Sequence, residues 1–133
     1  MRPLRIRRGS EVLELALLFL PLLWLTFGAI DFGYYFYLQH NLQAAAHAGA
    51  RAGIIATATN SDVHAAVDAV MSNSGFTDPS KYTVDIPISV NSILPPDPVV
   101  VTVKMPYTPL GVPPARVNAS EVKSTVTMRK EES

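Results

Sequence analysis

The sequence predicts an α+β protein: a single-pass N-terminal transmembrane helix extended beyond the membrane, then a short helix and a small antiparallel β meander. Three observations carry that expectation. Residues 12–38 form an apolar run whose only formal charges are Glu14 and Asp31. The alanine-rich stretch after it has no proline through residue 55. Nine of the eleven prolines then fall between Pro79 and Pro114, among segments of period-two apolar alternation.

A bilayer core takes about 20 residues of apolar helix, and the run at 12–38 exceeds that. Arg2, Arg5, Arg7 and Arg8 precede it, and Tyr34, Tyr35 and Tyr37 close it like an interfacial aromatic belt. The positive-inside rule then places the N-terminus in the cytoplasm and the rest outside. A cleaved signal peptide is the competing reading. It fits less well, because such peptides carry an apolar stretch of about 7–15 residues and this run is longer and holds two acids. Pro21 removes one helix hydrogen bond, at the carbonyl of Leu17, for which a mild kink is expected.

A carboxylate deep in a bilayer costs about 2.5–3.5 kcal/mol on insertion scales and usually has a partner. Glu14 lies in the first helical turns, where the helix dipole favours an anion. Asp31 is close enough to the tyrosines to reach the outer interface. Both are candidate polar contacts for assembly or for the membrane; as a bland alternative, both are inert interfacial groups.

Helical character is expected to continue past the membrane, from about residue 10 to about residue 55, roughly 70 Å at 1.5 Å per residue. Ala45, Gly49 and Gly53 recur every fourth residue, as do Ala44, Ala48, Ala52 and Ala56. Stripes of small residues let helix backbones approach closely, so the outer half is expected to lie against other protein. His40 and His47 share a face and read as polar surface, since two histidines without supporting acids make a poor metal site.

A second helix is expected over 61–74, with Ser61 as N-cap and Asp62 in the first turn. Val63, Ala66, Val67 and Val70 follow its period, and Gly75 stops it. His64 and Asp68 read as a solvated face. Tyr82, Val84, Ile86, Ile88 and Val90 alternate as a half-buried strand, and Pro87 assigns that strand to an edge. Val99, Val101, Val103, Met105 and Tyr107 form a second strand; Val122, Val126 and Met128 line one side of a third. The second helix, the outer half of the first, or both cover the buried face of this meander. The expected segments are a basic cytoplasmic leader at 1–9, a transmembrane helix at 10–38, a helix extension at 39–56 and an exported α+β domain at 57–133.

The charge balance is 11 basic to 11 acidic, which excludes a nucleic-acid binder as a class. The absence of cysteine removes disulfides, thiolate metal sites and thiol catalysis. No phosphate-binding loop, nucleophile elbow or zinc-protease helix occurs. No catalysis, cofactor, metal or small-molecule substrate is expected.

The stretch Arg8-Gly9-Ser10-Glu11-Val12-Leu13-Glu14-Leu15-Ala16-Leu17 resembles the start of TadE-like proteins, pseudopilins of the tight-adherence (Flp) branch of type IV pili. The resemblance continues through Pro21, Phe27-Gly28-Ala29-Ile30-Asp31-Phe32-Gly33, Leu42-Gln43-Ala44-Ala45-Ala46 and Gly49-Ala50-Arg51-Ala52. It implies a pilin-like arrangement in the bacterial inner membrane and a part in pilus assembly. Implied partners are other pilins or pseudopilins, platform proteins and a prepilin peptidase. Carried onto this chain, a peptidase would cut between Gly9 and Ser10, and Glu14 would meet the new amino terminus of a neighbouring subunit. Leu15 stands where processed members often have an aromatic residue, and Glu11 adds an acid near the cut. Both leave open an uncut form that stays in the assembly platform. Two other classes compete: a signal-anchored periplasmic binding domain, and an accessory subunit of a membrane complex unrelated to pili.

Overall fold

The computed structural model describes residues 8–110 and 117–131. The fold is α+β. Helix α1 runs Arg8–Gly53 and helix α2 Asn60–Asn73; strands β1, Thr83–Asp85, β2, Pro98–Pro106, and β3, Glu121–Arg129, form one antiparallel sheet in the order β1-β2-β3. The chain divides into two compact units, Met1–Gly33 with Pro109–Asn118, and Tyr34–Thr108 with Ala119–Ser133.

The α+β unit is built on α1, α2 and the sheet. Leu38, Leu42, Ala45, Ala46 and Ala50 of α1 are buried with Val63, Val67 and Met71 of α2 and with Val99, Val101, Val103 and Val122 of the sheet. The stripe Ala45, Gly49, Gly53 therefore faces the chain's own α2 and β2. A Cβ on Gly49 would stand 2.7 Å from Val67 Cγ2 and 3.3 Å from both Val101 Cγ1 and Val63 Cγ1. On Gly53 it would stand 3.0 Å from Val99 and 3.2 Å from Val63. The second helix and the outer half of the first both cover the sheet.

The start of α2 differs from expectation. Its N-cap is Thr59, not Ser61, because Thr59 and Asp62 form a capping box. The Asp62 carboxylate accepts from Thr59 N–H at 2.8 Å and from the Thr59 hydroxyl at 2.7 Å. Those two bonds hold the Asp62 carboxyl below the ordinary carboxylate range. The far end stops as expected at Gly75, which takes φ +90°. Phe76 N–H reaches the Met71 carbonyl and Gly75 N–H that of Ser72, closing a Schellman motif.

β1 is an edge strand, as expected, but it is only three residues long rather than spanning 82–90, and it ends before Pro87. The alternation is real; the ladder is not, since a proline in its middle has no N–H to give. The chain turns away instead, into a 3-10 turn at Val90–Ser92. Asn60 Oδ1 accepts from Val90 N–H at 2.9 Å, and Lys130 Nζ donates to the Val90 carbonyl at 2.6 Å. Lys130 is only 5% exposed. β2 and β3 pair along their whole length, with Thr102 opposite Thr125 and their hydroxyls 2.9 Å apart.

Asp68 is half-buried rather than part of a solvated face, because it accepts from the Tyr82 hydroxyl at 2.7 Å. Burial, then that hydrogen bond, push the Tyr82 phenol up to about 12. A folded pKa above the unfolded value near 10 contributes stability that is fully present below about pH 10 and lost towards pH 12. Tyr82→Phe should cost about 1 kcal/mol at neutral pH. It should also remove part of the alkaline loss; denaturant melts at neutral pH and through that window check both.

The tyrosines at the end of the apolar run also pack within the α+β unit. Tyr34 stacks on Tyr107 with centroids 6.1 Å apart, and Tyr35 meets the same ring edge-on at 5.4 Å. The Tyr37 hydroxyl donates to the Ser74 carbonyl at 2.9 Å, at the C-terminal end of α2.

Candidate functional site

The candidate site is the N-terminal part of α1 with the chain segment that returns to it. From Glu11 to Leu20 every residue is exposed, and the exposed large side chains continue through Leu22, Trp24, Leu25, Phe27, Ile30 and Phe32. A helix apolar on all sides belongs in lipid or inside an assembly. Glu11–Gly53 is long and apolar enough to cross a membrane, at the N-terminal end of the chain. Pro21 is accommodated without interrupting α1. Thr26 turns its hydroxyl back onto the Leu22 carbonyl at 2.9 Å, which satisfies it without a partner.

The sequence-predicted residues are spread along this helix. Arg2, Arg5 and Arg7 lie outside the described residues. Arg8, Gly9 and Ser10 form the first turn of α1, so the expected cleavage point falls in a helical turn. Glu14 is exposed one turn beyond Ser10, and among the described residues it has no hydrogen-bond or ion-pair partner. With Glu11 it presents an acid in an otherwise apolar surface.

Asp31 is placed differently. It is 0% exposed. Its Oδ1 accepts from Leu110 N–H at 2.7 Å and its Oδ2 from Val117 N–H at 2.5 Å. One carboxylate thus holds both ends of the 110–117 segment, which offsets the cost of burying an acid in an apolar setting. The expectation that Asp31 reaches out to the interface is replaced by an internal role. Gly28, one turn earlier on the same face, is also buried. Leu110 and Val117 could not have been picked out as partners, because they act through backbone N–H groups. The available signals were the unexplained acid in the apolar run and the prolines at positions 109, 113 and 114 of the sequence.

His40, His47 and Arg51 are exposed on the outer half of α1. Among the described residues no group of three or more His, Cys, Asp or Glu is placed to hold a metal ion.

The model of the TadE-like protein family matches residues 9–51. That span begins at the candidate cleavage point and ends two residues before the end of α1; α2 and the sheet lie beyond it. No curated protein and no solved structure matches the chain.

Proposed function

We propose that this chain, TadE-like over residues 9–51, is a pseudopilin or assembly factor of a tight-adherence pilus, anchored in the bacterial inner membrane. The observation that carries the reading is the coincidence of the family match with one continuous helix whose N-terminal part is apolar on all sides apart from two exposed acids, Glu11 and Glu14, unpartnered among the described residues. Arg2, Arg5, Arg7 and Arg8 keep the N-terminus cytoplasmic, and the α+β unit is exported. The role is structural. Partners are other pilins or pseudopilins and platform proteins, and any force comes from a partner ATPase.

The chemistry follows from spacing. A cut after Gly9 makes an ammonium at Ser10, and Glu14 lies four residues on, on the same face of α1. In an assembly the ammonium of one subunit and the Glu14 carboxylate of the next meet in low dielectric. Each offsets the burial cost of the other, and removing one partner leaves an uncompensated charge, at about 3–5 kcal/mol. Glu14→Ala should therefore abolish or strongly reduce piliation. The melt of the α+β unit should stay within about 0.5 kcal/mol of wild type, since the side chain is exposed and has no hydrogen-bond or ion-pair partner among the described residues. Normal piliation in that variant would sink the stacking role.

Intact mass of the membrane-extracted protein, co-expressed with its prepilin peptidase, decides the form. A chain beginning at Ser10 is a processed pseudopilin. A full-length chain is an uncut anchor, the form that Leu15 and Glu11 leave open, with the arginines retained as a cytoplasmic contact.

A further inference from the structure

A groove of about 310 Å³ opens in the α+β unit, lined by Tyr34, Gly75, Phe76, Lys81, Met105 and Pro106. Four places in the chain build it. Tyr34 comes from α1. Gly75 and Phe76 follow α2, where the left-handed turn takes glycine and a Cβ on Gly75 would meet nothing within 4 Å. Lys81 ends the 3-10 turn Pro79–Lys81, and Met105 and Pro106 end β2.

Two chemistries meet there. Tyr34 and Phe76 offer aromatic rings, Met105 a thioether and Pro106 an apolar ring, whereas Lys81 is the one charged group of the lining. Among the described residues Lys81 has no ion-pair partner within 4 Å. Asp78, three residues earlier, has its carboxylate engaged by the Ser80 N–H at 3.0 Å and the Ser80 hydroxyl at 2.7 Å. An ammonium without a carboxylate, beside apolar walls, selects an amphipathic anion. Small-molecule sites span about 300–1,000 Å³, and this groove is at the low end, which suits a phosphate with its glycerol rather than a complete lipid. Position names the source of that anion. An apolar helix that enters the hydrocarbon at Val12 leaves it after about 20 residues. Tyr34 follows within one helical turn, in the headgroup layer where tyrosines concentrate. Phospholipids present phosphate and glycerol at that level.

We propose that this groove holds the headgroup of an anionic phospholipid from the leaflet distal to Gly9, its phosphate on Lys81 and its glycerol and first chain carbons against Tyr34, Phe76 and Met105. The proposal rests on α1 being the membrane span. It gives the α+β unit a lipid contact of its own, in addition to the helix that anchors it.

Trp24 is the only tryptophan, so a single reporter can be moved. Full-length Phe76→Trp and Tyr34→Trp, each with Trp24→Phe, are reconstituted in phosphatidylcholine vesicles. Quenching is followed against the mole fraction of chain-brominated phosphatidylglycerol or chain-brominated phosphatidylcholine. One lysine at an anionic surface is worth about fivefold in affinity, so the brominated phosphatidylglycerol should quench both reporters at about fivefold lower mole fraction. Lys81→Gln should abolish that preference and Lys81→Arg should keep it. Lys104→Gln, which removes the cation paired with Asp85, should leave it intact. Equal quenching by the two lipids overturns the inference. So does a preference that Lys104→Gln removes as fully as Lys81→Gln, because bulk charge then explains it. A preference erased by millimolar soluble glycerol phosphate means that a free anion fills the groove, which also overturns it. Trp24 in the otherwise unchanged chain tests the span separately. With Trp24 quenched and neither groove reporter quenched, the inference alone falls. With Trp24 unquenched by either lipid, the membrane-span reading falls and takes the inference with it.

Discussion

Gly49→Leu should unfold the α+β unit or come close to it. The first carbon beyond Cα already has no room: it would stand 2.7 Å from Val67 Cγ2, with Val63 and Val101 at 3.3 Å closing the other directions. Those three valines are fully buried and belong to two different elements. A leucine therefore has to separate α1 from α2 and β2 together. Overpacking typically costs about 1–3 kcal/mol and occasionally more; here the upper end is the starting point. For a unit of this size, 3 kcal/mol corresponds to a fall in Tm of roughly 12–24 °C. Total stability in such domains is about 5–15 kcal/mol, so little is left. Gly33→Ala is the control, because a Cβ there meets nothing within 4 Å. Thermal melts of the full-length protein in one detergent should separate the two variants. An unchanged melt for Gly49→Leu would mean that the stripe is not the contact surface. The same packing predicts that a fragment beginning at Asn60 folds poorly, since it lacks Leu38, Leu42, Ala45, Ala46 and Ala50 of the core.

Asp31→Ala should release the segment at Leu110 and Val117 without melting α1. Removing the carboxylate leaves two backbone N–H groups without an acceptor, at about 1–3 kcal/mol each. Taking the low end for both gives about 2 kcal/mol, or roughly 30-fold faster amide exchange at these two positions. Asp31→Asn keeps one carbonyl oxygen and replaces the other with a donor, so one of the two amides should stay protected. Hydrogen exchange resolved at residues 110 and 117 checks this. Wild-type rates at both amides in Asp31→Ala would show that the carboxylate does not hold the segment.

Much of this fold was legible because its signals are local. The apolar run at 12–38, the Schellman stop at Gly75 and the alternating faces of β2 and β3 follow from periods and composition read over a dozen residues. The small-residue stripe announced close packing, but its partner could not be read. Val63, Val67 and Val101 look like ordinary core residues of their own elements, and only the fold brings them onto Gly49. Alternation also overstated β1: a side-chain period survives a proline, whereas a backbone ladder does not. Thr59 does not announce itself as the N-cap, because its partner is Asp62, where the usual box has Glu or Gln. At the candidate site, Glu14 stood out by its spacing from Gly9. The clasp on Asp31 did not, because it joins a side chain to backbone N–H groups about eighty residues later. Lys130 carries no local signal of burial, since it lies in a run of four charges at 129–132, yet it is enclosed against the Val90 carbonyl.

The bonds that finish the α+β unit come from residues 121–131. β3 pairs along the full length of β2, Lys130 Nζ closes on Val90, and Glu131 N–H donates to the Ile54 carbonyl just beyond α1. The unit is therefore closed by contacts far apart in sequence, between residues 121–131 and residues 54–106, rather than by the local bonds that make its helices. Closure of that kind costs more loop entropy before it is rewarded than the local contacts of a helix, which makes the docking of β3 the slow sort of folding step.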